Sequence, residues 1–246
     1  MARASRNFLP GMIWHITHRC HKREFLLKFR KDKDAWLDWM YAAKLKFGLR
    51  ILDFIITSNH VHLLVHDEGN GPDQAISKSL QLAAGRVAQE FNVRKARSGA
   101  FWEDRYHATA IETGEYLVNC LVYIDLNMVR AGVVNHPREW RFGGYSELLQ
   151  PRLRFRKQLT DWRVLARLVG ARDLRGLQRM RDSWIEIAIK RSDLKRDPRW
   201  TESPAVGSDG FLMTIAEEFE ERRERSRPAQ DEDNALPLTT KEDVAP

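Results

Sequence analysis

Apolar positions recur along this chain with two different periods, and the switches between them mark out its elements. Over residues 11–19 the side chains alternate. Met12, Trp14, Ile16 and His18 fall on one side, and Ile13, His15 and Thr17 on the other. A period of two is that of a strand. Over residues 31–47 the period lengthens. Trp36, Trp39, Met40, Ala43 and Phe47 fall at helical spacing, Asp32 and Asp34 stand near the start, and Gly48 lies just past the end. A helix is expected there. Residues 49–57 return to strand character. Ser58-Asn59 leaves room only for a tight connection, so residues 60–66 form the antiparallel return strand of a hairpin. Gly69-Asn70-Gly71-Pro72 is turn chemistry. A second helix is expected over 73–93, on Ile76, Leu80, Ala83, Ala84, Val87 and Phe91. Residues 101–111 suit a fourth strand or an extended segment. A third helix opens at Thr113 or Gly114, with Tyr116, Leu117, Cys120, Leu121 and Ile124 as its apolar face.

The order is strand, helix, strand, strand, helix, strand, helix. That is the split βαβ arrangement: an α+β, ferredoxin-like antiparallel sheet with helices on one face. Residues 1–150 are expected to form this domain. Trp140 to Tyr145 suits an exit loop, and the basic residues 151–157 a linker. Helical spacing returns over 160–169, on Leu165, Leu168 and Val169, and again over 174–190 and 211–225. Residues 151–225 are therefore a C-terminal helical region, either an appendage that grips DNA or a cap on the core. From 226 to 246 the chain is polar with few large apolar residues, and disorder is expected.

Charge narrows the partners. The net charge is +7, yet residues 227–246 carry two basic and five acidic side chains, which leaves +10 on the rest. A globular part that basic points to a polyanion, nucleic acid first and a membrane surface second. Cys20 and Cys120 make no disulfide framework and no C-x-x-C metal pair. The basic start, Met1 to Arg6, is not followed by an apolar run of signal type, and no stretch of about 18 apolar residues exists. A cytoplasmic protein without a membrane partner is expected.

The candidate chemistry sits on the return strand, Asn59-His60-Val61-His62-Leu63-Leu64-Val65. His60 and His62 are two residues apart, so they leave the same face. Val61, Leu63 and Val65 point the other way, into a core. Two adjacent imidazoles can hold one divalent metal with positions left for a phosphate oxygen. A pair on a half-buried strand with no metal is the alternative. His15 and His18 can approach from the first strand, although a satisfied histidine beside a sheet is the plainer role. Sixty residues on, Tyr123 and Asn127 stand four apart and stack on one helix face. A tyrosine hydroxyl, with an ordinary pKa near 10, is a poor nucleophile unaided. Beside a metal-bound phosphodiester the difficulty falls, because the cation stabilises the charge of the transition state. Asn127 can supply a third, neutral oxygen ligand. Such a donor set suits Mg²⁺ or Mn²⁺ better than a closed structural zinc site.

Three motifs together carry a resemblance: N-H-V-H-L-L-V, then F-W-E-D-R-Y-H-A-T-A-I, then V-Y-I-D-L-N-M-V-R-A-G-V-V. In that order the chain resembles the HUH single-tyrosine transposases, and within them the bacterial REP-associated tyrosine transposases. The likeness spans roughly residues 8–150, including the opening R-N-F-L-P-G-M-I-W-H-I-T. Met128 departs from the proline that many relatives carry after the asparagine, and a methionine there lets the helix continue. The resemblance implies a metal-dependent transposase acting on single-stranded or hairpin DNA through a 5′-phosphotyrosine. His60, His62 and Asn127 would be the metal ligands and Tyr123 the nucleophile. Arg94, Lys95, Arg97, Arg105, Tyr106 and Arg130 would contact DNA. Relatives work as monomers or as homodimers that exchange the tyrosine helix, and the short segment between Ile111 and Tyr123 favours a tyrosine acting in its own chain. Two other classes stay open: a non-catalytic hairpin-binding protein that kept the fold, and a nuclease in which the metal activates water.

Overall fold

Alternation along β1 (Ile13–Arg19) divides the molecule into two layers. In this computed structural model, which describes residues 8–69, 74–149, 157–191 and 195–225, Trp14 and Ile16 enter one core and Ile13 enters another on the opposite face. β2 (Arg50–Ile56) and β3 (His60–His66) form the expected hairpin, and β4 (His107–Ile111) lies on the far side of β1. β1 pairs antiparallel with both β3 and β4. A two-residue strand, β5 (Ala205–Val206), adds a parallel edge beside β4. The sheet order is β2-β3-β1-β4-β5. Its first four strands are the split βαβ sheet that the pattern predicts.

α1 (Arg30–Phe47) and α2 (Ala75–Arg94) lie together on one face. Trp36, Met40, Leu80, Ala83 and Val87 bury their apolar stripes against Trp14, Ile16, Phe54, Leu63 and Val65. α1 ends where Gly48 takes a left-handed φ of 70°, which glycine adopts without a Cβ penalty.

Helices cover the opposite face too, which extends the expectation of helices on one face. Ile13, Leu52, Ile55, Leu64 and Ile111 make that side of the sheet apolar, so it needs a lid. The lid is α3 (Glu115–Asp125), α6 (Trp162–Val169), α7 (Leu174–Lys190) and α8 (Arg199–Glu202). Leu117, Leu121, Leu165, Leu177 and Trp200 share one core with the strands. The C-terminal helices thus cap the core. α5 (Gly144–Leu149) occupies the end of the expected exit loop, and α9 (Asp209–Arg225) is anchored by Ile215.

Two boundaries differ from the sequence reading. The fourth strand begins only at His107, and 101–103 is held separately, by backbone bonds to Arg19 and His21 and by the Trp102 side chain. Trp102 bridges to Cys20, stacks on His18 at 4.0 Å between ring centroids, and donates its indole N–H to the Ala84 carbonyl at 3.0 Å. The third helix does not run on through Met128. It ends at Asp125, turns at Leu126 (φ −79°, ψ 3°), and resumes as the short α4 (Asn127–Arg130). All but Lys157 of the expected linker over 151–157, all but Gly69 of the turn at 69–72, and the tail from 226 lie outside the described residues. Among the described residues, no helix is long and apolar enough to cross a membrane.

Candidate metal and tyrosine site

β3 holds His60 and His62 on the face covered by α3, and β1 brings His15 and Thr17 beside them, with Thr17 paired to His62 in register. His62 and His15 are buried, their rings stacked 5.0 Å apart. Their hydrogen bonds fix which nitrogens carry protons. His15 Nδ1 lies 2.8 Å from the Trp200 carbonyl, which can only accept, so Nδ1 carries the hydrogen. Burial pushes the His15 pKa down to about 3, with a partly opposing contribution from that same carbonyl, so the ring is neutral at pH 7. Its Nε2 is then an acceptor, and His62 Nδ1 donates to it at 2.9 Å. Thr17 Oγ1 stands 3.2 Å from the same Nδ1. His62 is left with a lone pair on Nε2.

His60 reaches the same state by another route. The Asn59 side-chain amide donates to the Arg23 carbonyl at 3.2 Å, which turns its Oδ1 toward His60. His60 Nδ1 donates to that oxygen at 2.7 Å, and its Nε2 keeps the lone pair. Burial, then the neighbouring Arg19, Arg130 and Arg196, pushes the His60 pKa down to about 4. Burial, then His60 and His15, holds His62 well below its ordinary value. Both rings are neutral at physiological pH, the state in which imidazole binds a metal.

The two lone pairs converge on one side chain. Asn127 Nδ2 lies 3.1 Å from His62 Nε2 and 3.5 Å from His60 Nε2. A half-turn of that amide presents Oδ1 instead, giving two imidazole nitrogens and one carbonyl oxygen, all neutral. These residues fit a divalent cation with open positions. Among the described residues, no three His, Cys, Asp or Glu side chains gather into a metal-holding group, so the asparagine completes the set.

Tyr123 sits edge-on to the same histidines, with ring centroids 6.0 Å from His62 and 6.1 Å from His15. Arg130 fixes it from the helix break. Its guanidinium lies 4.1 Å from the centre of the Tyr123 ring and donates to the Tyr123 carbonyl at 2.5 Å. Burial raises the Tyr123 pKa, and Arg130 works against that rise. One chain thus brings together His60, His62, Asn127, Tyr123 and Arg130.

Residues 9–127, which hold this whole donor set and the tyrosine, match the family model described as transposase IS200 like. This segment belongs to the IS200-like transposases. Among solved structures, the transposase segment and its surroundings are similar to a REP-associated tyrosine transposase bound to a REP hairpin. That match is 18% identical with a TM-score of 0.47, and covers 61% of this chain and 86% of that one. A candidate transposase from Deinococcus radiodurans R1 is 17% identical with a TM-score of 0.33, covering 45% of this chain and 86% of that one. No curated protein matches the chain.

The other residues expected to meet DNA lie elsewhere on the chain. Arg94 forms an ion pair with buried Asp32, tying α2 to α1. Arg97 donates to Asn92 at 3.1 Å and to the Ala100 carbonyl at 3.0 Å, shaping the loop after α2. Lys95 lies over the Phe29 ring at 5.5 Å. Tyr106 stacks on Phe8 at 6.2 Å, and Arg105 precedes it in the connection to β4. None of these five joins the histidine cluster. Sequence reasoning did not place Trp200, whose carbonyl orients His15 from 185 residues away. No local pattern signals a backbone carbonyl. His15 itself was visible as a neighbour of the pair, but not as the group that sets its tautomer.

Proposed function

We propose that this transposase cuts and rejoins single-stranded DNA through Tyr123, on a divalent metal held by His60, His62 and Asn127. The single observation carrying this reading is the convergence of two Nε2 lone pairs and the Asn127 amide beside the Tyr123 ring, inside the family-matched segment. A bound Mg²⁺ or Mn²⁺ would polarise the scissile phosphate and stabilise the charge of the in-line transition state. The chain's own residues do the rest. His15 and Asn59 hold the two imidazoles in the metal-binding tautomer. Arg130 fixes the Tyr123 ring and adds positive charge where the phosphate arrives. The Tyr123 oxygen attacks phosphorus and loses its proton. The bond from phosphorus to the 3′ oxygen breaks, leaving a 5′-phosphotyrosine and a free 3′-OH. Attack by a second 3′-OH reverses the step, so no nucleotide cofactor is required. The tyrosine stands beside histidines of its own chain, which favours catalysis within one chain.

The three sequence motifs support a REP-type hairpin as the substrate. The test is an adduct assay on denaturing gels, with end-labelled hairpin DNA from palindromes flanking the gene and Mn²⁺ or Mg²⁺. A protein–DNA adduct is expected, reduced at least about a thousandfold by Tyr123→Phe and by His60→Ala. Cleavage that survives Tyr123→Phe without an adduct would replace this reading with a water-using nuclease. Tight hairpin binding with neither cleavage nor adduct would favour a binding protein.

A further inference from the structure

A cavity of about 350 Å³ opens beside the tyrosine, between α3, α7 and the segment leading into α8. Tyr123 and Arg130 form part of its wall, so it is continuous with the site described above. Its remaining wall has two characters. Val118 and Val122 from α3 meet Trp184, Ile187 and Trp200 from the C-terminal helices, an apolar surface with two indoles. Ile187 remains 45% exposed there, a large apolar side chain that the fold leaves partly uncovered. Arg191 and Lys195 add positive charge to the same wall. Neither makes an ion pair among the described residues. The one carboxylate in the wall, Asp197, is held by Arg199 at 2.8 Å.

We propose that this cavity takes a single nucleotide of the DNA strand, the one adjoining the scissile phosphate. The inference rests on the strand-transfer reading and names the subsite that reading leaves unassigned. The volume lies near the small end of ligand-sized cavities, about 300–1,000 Å³, so it admits one base and excludes a duplex. Indole and aliphatic surface suits the flat face of a base and is tolerant of its sequence. Arg191 and Lys195 suit the phosphate that follows. Because Tyr123 is part of the wall, a base seated here brings its own phosphate to the hydroxyl. This gives the C-terminal helices a task in substrate positioning, although they lie outside the family-matched segment.

The test uses the full-length chain and the same hairpin, with a single abasic nucleotide moved through its single-stranded flank. Binding is measured in EDTA, so catalysis plays no part. One flank position is expected where the abasic site weakens binding about fivefold to a hundredfold. Trp184→Ala should abolish most of that difference, since the base would have lost its platform. Trp184 also packs on the core, so the surface pair Arg191→Gln and Lys195→Gln supplies a second measurement. That double variant should weaken binding and lower the salt slope by about 1.4, for two contacts at about 0.7 each. An adduct that forms normally, with no abasic-sensitive position and an unchanged salt slope, would overturn the nucleotide site and leave strand transfer intact. An abasic-sensitive position that depends on Trp184, with no adduct on any flank, would uphold the site and reject strand transfer.

Discussion

The two faces of one sheet are built on different principles. On the α1–α2 face the contacts are mainly apolar and follow the helical and strand periods of the sequence. On the other face, polar groups are buried among apolar ones. His15, Thr17, His62, Asp53, Asp125 and Arg181 are all buried there. The first face gains stability without chemistry. The second holds ionisable groups and the proposed metal ligands, most of which long-range partners satisfy. Arg181 of α7 donates to both oxygens of Asp125 on α3, at 2.7 and 2.6 Å, and stands 3.0 Å from Asp53 on β2. Burial lifts both carboxyls above their ordinary values, and Arg181 works against it. This ion cluster ties the C-terminal helix to the helix that carries Tyr123. The candidate site of a segment ending near residue 127 is therefore held in place by residues far beyond it.

That contrast breaks most clearly at the ion cluster. Arg181→Met leaves two buried carboxyls without their cation, and is expected to cost about 3–5 kcal/mol in urea unfolding. It should also lower adduct formation under conditions where the variant is still folded, because α3 loses its tether. An adduct yield equal to wild type in the folded variant would separate the cluster from the site. Leu80→Ala on the other face is the matching control. It removes buried apolar volume and should cost somewhat less, about 2–4 kcal/mol. Its metal affinity, read by calorimetry, should stay within about twofold of wild type. A large loss of metal binding in Leu80→Ala would mean that the two layers are not independent.

The same contrast explains what could be read in the chain. The α1–α2 face was legible because its positions repeat, from Trp36 and Met40 through Leu80, Ala83 and Val87. His60 and His62 were legible because the strand period places them on one face, whereas Tyr123 and Asn127 were picked out by a spacing of four that the helix break at Leu126 interrupts. Asp53 was not. In a regular strand it would share the face of Ile51, toward the α1–α2 core, but a bulge between Ile51 and Asp53 puts it on the face of Ile55, toward α7. Gly144 hides in the same way. A Cβ there would collide with Asp53 Oδ1, so the glycine lets α5 begin against a buried carboxylate. Arg181 sits in a helix of ordinary amphipathic pattern, with nothing local to say that its charge turns inward. The cationic run Arg94, Lys95 and Arg97 presents the opposite case. It is conspicuous in the sequence, yet Arg94 and Arg97 are engaged in holding α2 and its loop.

His15 tests whether the second face organises the metal site or merely surrounds it. Losing the acceptor that orients His62 should weaken Mn²⁺ binding by about tenfold to a hundredfold. His15→Leu removes that acceptor. His15→Gln keeps a side-chain oxygen that can face His62 Nδ1, and should recover most of the affinity. Equal loss in both variants would assign His15 to packing alone.

The smallest expected effect is on acid stability in the metal-free protein. Burial holds His15 at about 3 and His60 at about 4, both below the ordinary value of 6.5. A depressed histidine is neutral when folded and protonated when unfolded, over the interval between the two values. The unfolded chain then binds more protons, so stability rises with pH across that window. It is fully present above about 6.5 and is lost as pH falls toward 4. His15→Gln removes one such group, while the carboxylates that titrate below pH 5 are unchanged. Urea midpoints from pH 7.5 to 4.5 should therefore fall less steeply in His15→Gln than in wild type. The difference should be on the order of 1 kcal/mol at the acid end. The Leu80→Ala variant should track wild type in slope, offset by a constant, because its face buries no histidine as deeply as His15. Parallel curves for wild type and His15→Gln would mean that the buried ring already meets water, and the division between a dry chemical face and a purely structural one would not hold.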